Sequence, residues 1–222
     1  MTLESSKTLG LVGSILLLIG VLPYIGSFTF GVLAIVGIIL ILISLHGLAN
    51  IYNEKGIFNN SLYGFIAGIV GAVIAAIVVV VAVLNNLTTL LKDLYPSWNG
   101  NWSSISSISG MTPNTSNITA SSVFSLIEGA LVAFVILWIF LIVWAVFARK
   151  SLKMLATKSS VGLFSTASLV LVIGAALTII GIGLIIMWVA VLLMVIAFAQ
   201  MKPQMEQTPV TYVAPPSTPT PV

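Results

Sequence analysis

The stretch RKSLKMLATK, residues 149–158, sets the orientation of the whole chain. It holds four of the chain's eight Lys and Arg residues: Arg149, Lys150, Lys153 and Lys158. Long apolar runs flank it on both sides. Because cations between membrane helices stay on the cytoplasmic side during insertion, we predict that this stretch is a cytoplasmic loop. The orientation of every other segment follows from it.

The composition is that of a membrane protein. Apolar residues make up 59% of the 222 residues and charged residues only 6%, against about 25% charged in a typical soluble domain. The cations flank apolar runs and do not form one basic soluble face, so the net charge of +3 indicates a lipid bilayer as partner and no nucleic acid.

The residue types argue against enzymatic chemistry. The chain has no cysteine and a single histidine, His46, which excludes disulfides, thiolate metal sites and imidazole clusters. It contains no HExxH motif, no Walker loop, no Ser/His/Asp set and no paired carboxylates. We predict no catalytic residues, no metal and no cofactor.

Six apolar segments approach the length of about 20 residues that a membrane helix needs. They cover residues 8–22, 30–49, 62–84, 123–148, 161–180 and 184–200. The last two form one run that would be about 60 Å long as a single helix, roughly twice the hydrocarbon core. We therefore predict a turn at Gly181-Ile182-Gly183.

These segments predict an all-α integral membrane bundle of six transmembrane helices over residues 1–201. A polar outer loop covers residues 95–122, and the Pro- and Thr-rich residues 202–222 are expected to be a disordered cytoplasmic tail. With the basic stretch inside, both termini are cytoplasmic, and seven cations lie inside against Lys92 alone outside. We expect the plasma membrane as location.

A weak internal similarity relates the two ends of the chain. A shift of 154 positions places Ser14 on Ser168, Leu17 on Leu171 and Gly20 on Gly174. Duplication would make the first and last hairpins parallel repeats. Chance matches in apolar sequence explain the similarity equally well.

Two groups of residues suggest contacts or modification. Gly64, Gly68 and Gly71 lie at helical spacing in the third segment, where small residues let helices approach closely, either within the bundle or between subunits. Asn101, Asn114 and Asn117 begin three N-glycosylation sequons in the predicted outer loop. Loops rich in Ser, Thr and Asn also produce sequons by chance.

Glu128 is the only acidic residue within an apolar segment. An intramembrane carboxylate is costly and commonly functional, for instance as a proton or cation site. The alternative is a hydrated carboxylate at the membrane interface.

Four stretches carry a family resemblance: ESSKTLG at residues 4–10, IFNNSLY at 57–63, KSSVGLF at 158–164 and IGAALT at 173–178. Together they resemble an uncharacterised, mainly archaeal family of multi-pass membrane proteins, domain of unknown function 996, over about residues 3–199. The resemblance implies a prokaryotic membrane protein. It brings no site residues, because the family has no established activity.

Two functional classes remain from the sequence. The first is a structural, accessory or interaction protein of the membrane, with a homo-oligomer or another membrane protein as partner. The second is a small transporter or channel that uses Glu128. Transport pathways usually place polar groups or helix breaks in mid-membrane, and their scarcity here favours the first class.

Overall fold

The computed structural model describes residues 1–20, 28–117 and 120–202. Within them the chain forms helices and no strands, and six helices are long and apolar enough to cross a membrane. The prediction of an all-α chain with six such helices is confirmed. The helices are α1 (Leu3–Gly20), α2 (Phe28–Ile51), α3 (Lys55–Leu94), α4 (Ala120–Ser159), α5 (Leu163–Leu177) and α6 (Gly183–Gln200).

The helices form a closed ring in chain order. Each packs against its two neighbours in sequence, and α6 packs against α1 to close the ring. Phe198 of α6 lies on Gly10 of α1, where an added Cβ would come within 2.3 Å of the ring. The α1–α2 hairpin is held by a reciprocal approach of Gly13 and Gly37 to each other's backbone. Small residues thus set the closest contacts.

The basic stretch is not a loop, and here the sequence prediction was wrong. α4 continues through it to Ser159. Leu152, Leu155 and Ala156 are buried while Lys153 and Lys158 are exposed, which is the pattern of an amphipathic helix. The end of the molecule that carries these residues is called the basic end below.

α3 and α4 are much longer than the other helices. Each has 40 residues, about 60 Å at about 1.5 Å per residue. α3 begins at Lys55, earlier than the predicted residue 62, and continues to Leu94, just before Pro96. The part of this hairpin far from the basic end, residues 72–94 and 120–138, is called the distal hairpin.

The turn between α5 and α6 lies where the glycines predicted it. α5 ends in a short 3-10 turn, Thr178–Ile180, and Gly181 has φ 84°, a conformation that suits glycine. Gly183 then starts α6 so close to α5 that a Cβ would lie 2.1 Å from the Gly174 carbonyl oxygen. Ile180, Ile182 and Ile185 around this turn are all exposed.

The connection between α3 and α4 is more ordered than its polar composition suggested. Trp98 is buried and packs edge-to-face on Trp102, with ring centroids 5.9 Å apart. A 3-10 helix follows, Trp102–Gly110. The Trp102 indole N–H donates to Thr88 Oγ1 of α3 at 3.1 Å, which ties the connection back onto the distal hairpin.

Candidate functional site

The candidate site is a cavity of about 70 Å³ in the centre of the helix ring. All six helices contribute to its wall. One representative from each, in chain order, is Leu17, Ile41, Phe65, Ala148, Leu171 and Val191. These residues lie roughly 10–20 Å along their helices from the basic end, at about 1.5 Å per residue.

The wall of the cavity is apolar. Within the described part of the chain, no charged side chain lines it, and the polar groups among its lining side chains are the Ser61 hydroxyl and the Trp144 indole N–H. Trp144 adds an aromatic face. An apolar enclosure of this kind favours hydrocarbon and disfavours ions and water.

The Ser61 hydroxyl already has a partner. It donates to Ser151 Oγ at 2.8 Å, and the Ser151 hydroxyl donates in turn to the Ile57 carbonyl at 2.5 Å. Ser151 is fully buried. This chain of hydrogen bonds joins α3 to α4 at the cavity wall and satisfies both hydroxyl donors.

Packing at the basic end encloses the site on one side. The buried cluster there includes Leu48, Ile57, Leu155, Phe164 and Phe198. An ion pair between Lys158 and Glu54, with Nζ and Oε2 3.5 Å apart, links the end of α4 to the connection between α2 and α3.

The tyrosine of that connection is half-buried. Tyr52 packs against the same cluster, and burial raises the pKa of its phenol above the ordinary value. His46, six residues earlier, lies edge-to-face on Phe58 with ring centroids 4.7 Å apart. Among the described residues, no group of three His, Asp or Glu side chains is placed to hold a metal ion.

Glu128 lies away from the cavity. It is exposed on α4, and the neighbouring Gly129 packs on Ala82, near the Asn86 amide. The apolar run of α3 gives way to Asn85 and Asn86 at this level. Glu128 and Arg149 are 21 residues apart in α4, about 31 Å along the helix, which matches a hydrocarbon core of about 30 Å.

The expected start of this helix needs a correction. The apolar run predicts a start near Val123, whereas α4 begins at Ala120. The helix is longer than a bilayer is thick, so its first residue does not mark the membrane boundary. The 21-residue spacing between Glu128 and Arg149 is a better guide to that boundary.

The small residues of α3 pack within the chain. Gly64 and Gly71 are buried against α4, at Phe147 and Phe140 respectively. Gly68 has a looser environment, because its nearest neighbour, Trp144, would be 3.9 Å from an added Cβ.

Two of the three sequon asparagines can be placed with their side chains. Asn101 and Asn114 are exposed, and each side-chain oxygen accepts a hydrogen bond from the backbone N–H of the serine two positions later. The Asn117 side chain and the rest of its sequon lie outside the described residues.

Sequence reasoning missed the role of two tryptophans. The Trp138 indole N–H donates to the carbonyls of Ala175 and Ala176, at 3.1 and 3.2 Å, near the end of α5. The Trp188 indole N–H donates to the Leu18 carbonyl of α1 at 3.2 Å. Trp138 lies in the middle of its apolar segment, far from either end. That position is the one sequence feature that indicated a partner inside the bundle.

Comparison with known proteins gives a family but no activity. A family model described as "Protein of unknown function (DUF996)" matches residues 33–192. The match includes the resembling stretches after α2 and around α5, and it leaves out α1 with the stretch at residues 4–10. No curated protein and no solved structure matches the chain. The match covers well over half of the chain, which therefore belongs to the DUF996 family of proteins of unknown function.

Proposed function

We propose that this chain is a structural or accessory integral membrane protein whose helix ring does not conduct polar solutes. The observation that carries the proposal is the apolar wall of the central cavity. A pathway for ions or polar solutes needs polar or charged groups facing its interior. The one hydroxyl among the described lining residues, that of Ser61, is already hydrogen-bonded.

The position of Glu128 also supports this class. An exposed carboxylate on the outer face of α4, one core thickness from Arg149, is suited to an interface and not to a pathway through the ring. The alternative, a small transporter using Glu128, would require this carboxylate to face the interior.

Solute flux across proteoliposomes tests the proposal. Wild type and Glu128→Gln should both leave proton, K⁺ and small-anion permeability at the level of empty liposomes. A flux in wild type that Glu128→Gln abolishes would establish the transporter instead.

We also propose that the basic end faces the cytoplasm of a plasma membrane, with both termini on that side. The support is the seven-to-one distribution of cations. Ser151 is buried and cannot report accessibility, whereas Ser160 and Ser107 are exposed. In intact cells, a membrane-impermeant thiol reagent should label Ser107→Cys and not Ser160→Cys, and the reverse pattern would invert the topology.

The first and last hairpins are proposed to be duplicated units. The matched serines Ser14 and Ser168 are both buried, and both donate to a carbonyl within their own helix at 2.7 Å. The matched glycines Gly20 and Gly174 both lie against the following helix of their hairpin. These paired features support duplication beyond chance similarity of apolar residues.

Glycosylation of the outer loop is a further proposal. Exposed Asn101 and Asn114 meet the requirement for accessible sequons. In protein from its native host, replacing Asn101, Asn114 and Asn117 by Gln should lower the mass through loss of the glycans, although each substitution by itself adds one methylene group. A mass difference equal to the substitutions alone would remove this proposal.

A further inference from the structure

We infer that the central cavity binds a short segment of a membrane lipid's hydrocarbon chain. This inference rests on the proposed membrane location. It concerns the interior of the ring and adds a ligand class to the site.

Water is a poor occupant of the cavity. A buried water normally makes about three hydrogen bonds. Of the described lining residues, Ser61 and Trp144 alone carry a polar side-chain group, and the Ser61 hydroxyl proton is directed to Ser151. A water molecule here would have at most two side-chain partners.

The volume suits a few carbon atoms. About 70 Å³ is roughly half of an engineered apolar cavity of about 150 Å³ that stays dry and takes up benzene or xenon. The enclosure is incomplete, so a chain segment can occupy it without a complete lipid entering the ring. In a bilayer, lipid chains are the most abundant apolar molecules next to the protein.

Trp144 provides a reporter in the wall. Bromine on a lipid chain quenches tryptophan fluorescence at contact distance. The full chain is reconstituted with phospholipids brominated along one chain, in a variant whose other four tryptophans, Trp98, Trp102, Trp138 and Trp188, are replaced by Phe. A second variant that keeps only Trp138, which does not line the cavity, gives the reference.

The decisive comparison fills the cavity. Ala148→Leu adds three carbons to the wall, and Ala76→Leu makes the same change on the exposed side of α3. We expect Ala148→Leu to reduce quenching of Trp144 by about twofold, because it occupies the space of the lipid segment, while Ala76→Leu leaves it unchanged. Should Ala148→Leu not fold, Val191→Ile is the second variant. It adds one methylene group to the wall, so the same reduction in quenching is expected with a smaller size.

Three results would overturn the inference. Equal quenching of Trp144 in Ala148→Leu and Ala76→Leu would show that the lipid is only around the ring. A more stable Ala148→Leu protein with unchanged quenching would identify an empty cavity. If neither Trp144 nor Trp138 were quenched by any brominated lipid, the membrane location itself, and with it the proposed function, would fail.

Discussion

The basic end and the distal hairpin are built in opposite ways. At the basic end, large side chains such as Leu48, Leu155 and Phe198 are completely buried. In the distal hairpin, the buried residues are small, such as Ala75 and Ala133, while Ile77 and Val80 are more than half exposed.

The difference follows from the solvent at each place. The basic end carries Lys153, Lys158 and Lys202, so on the proposed topology its apolar side chains would otherwise face water, and the hydrophobic effect drives their burial. Around Ile77 and Val80 the distal hairpin faces lipid on that topology. Lipid is as apolar as leucine and provides no such drive, so the helices there associate through close packing of small residues.

The largest expected loss of unfolding free energy is at the basic end. Phe198→Ala should lower the free energy of unfolding by about 3–5 kcal/mol, because it empties a fully buried site. Ile77→Ala, on the exposed face of the distal hairpin, should change it by about 0.5 kcal/mol or less. Unfolding of both variants in mixed micelles by a denaturing detergent measures this, and equal losses would contradict the contrast between the two regions.

A smaller effect is expected from the close packing of α3 on α4. Gly71→Ala should destabilise the protein by about 1–3 kcal/mol, because the new Cβ would lie 2.3 Å from Phe140 Cβ. Gly68→Ala brings the same gain in helix propensity without the clash and is the matched control. The same unfolding assay applies, and a Gly71→Ala protein as stable as Gly68→Ala would refute close packing at this position.

Trp138→Phe should cost about 1 kcal/mol. The substitution keeps an aromatic side chain, though a smaller one, and removes the N–H that donates to the carbonyls of Ala175 and Ala176. Amide hydrogen exchange should accelerate in the turn at residues 178–183 and stay unchanged in α1. Trp102→Phe, which loses an exposed hydrogen bond to Thr88 Oγ1, is the control. Unchanged exchange in the turn of Trp138→Phe would show that Trp138 does not stabilise the end of α5.

The smallest effect concerns the Glu54–Lys158 ion pair. Both side chains are more than a third exposed. A double-mutant cycle with alanine should therefore give a coupling free energy of about 0.2–1 kcal/mol, which falls as salt is added. A coupling that does not change with salt would rule out an exposed electrostatic contact.

The sequence predicted the number of helices and the α5–α6 turn because apolar length and glycine act locally. It did not predict that the basic stretch is helical. The four cations were interpreted as a loop, and the helical spacing of the apolar residues Leu152, Leu155 and Ala156 between them was not used. The cavity could not be predicted. Its wall combines residues as distant as Leu17 and Val191, and apolar side chains do not reveal which of them face a void.

The closure of the ring by α6 against α1 has a consequence for synthesis of the protein. Roughly 160 residues separate the two helices, which at about 5–20 residues per second is about 8–30 seconds of translation. Until α6 emerges, the Gly10 surface and the Leu18 carbonyl of α1 lack Phe198 and Trp188. During this interval the α6 of another, already complete chain could occupy the same surface, so ribosome spacing on the messenger should influence how much protein assembles as exchanged dimers.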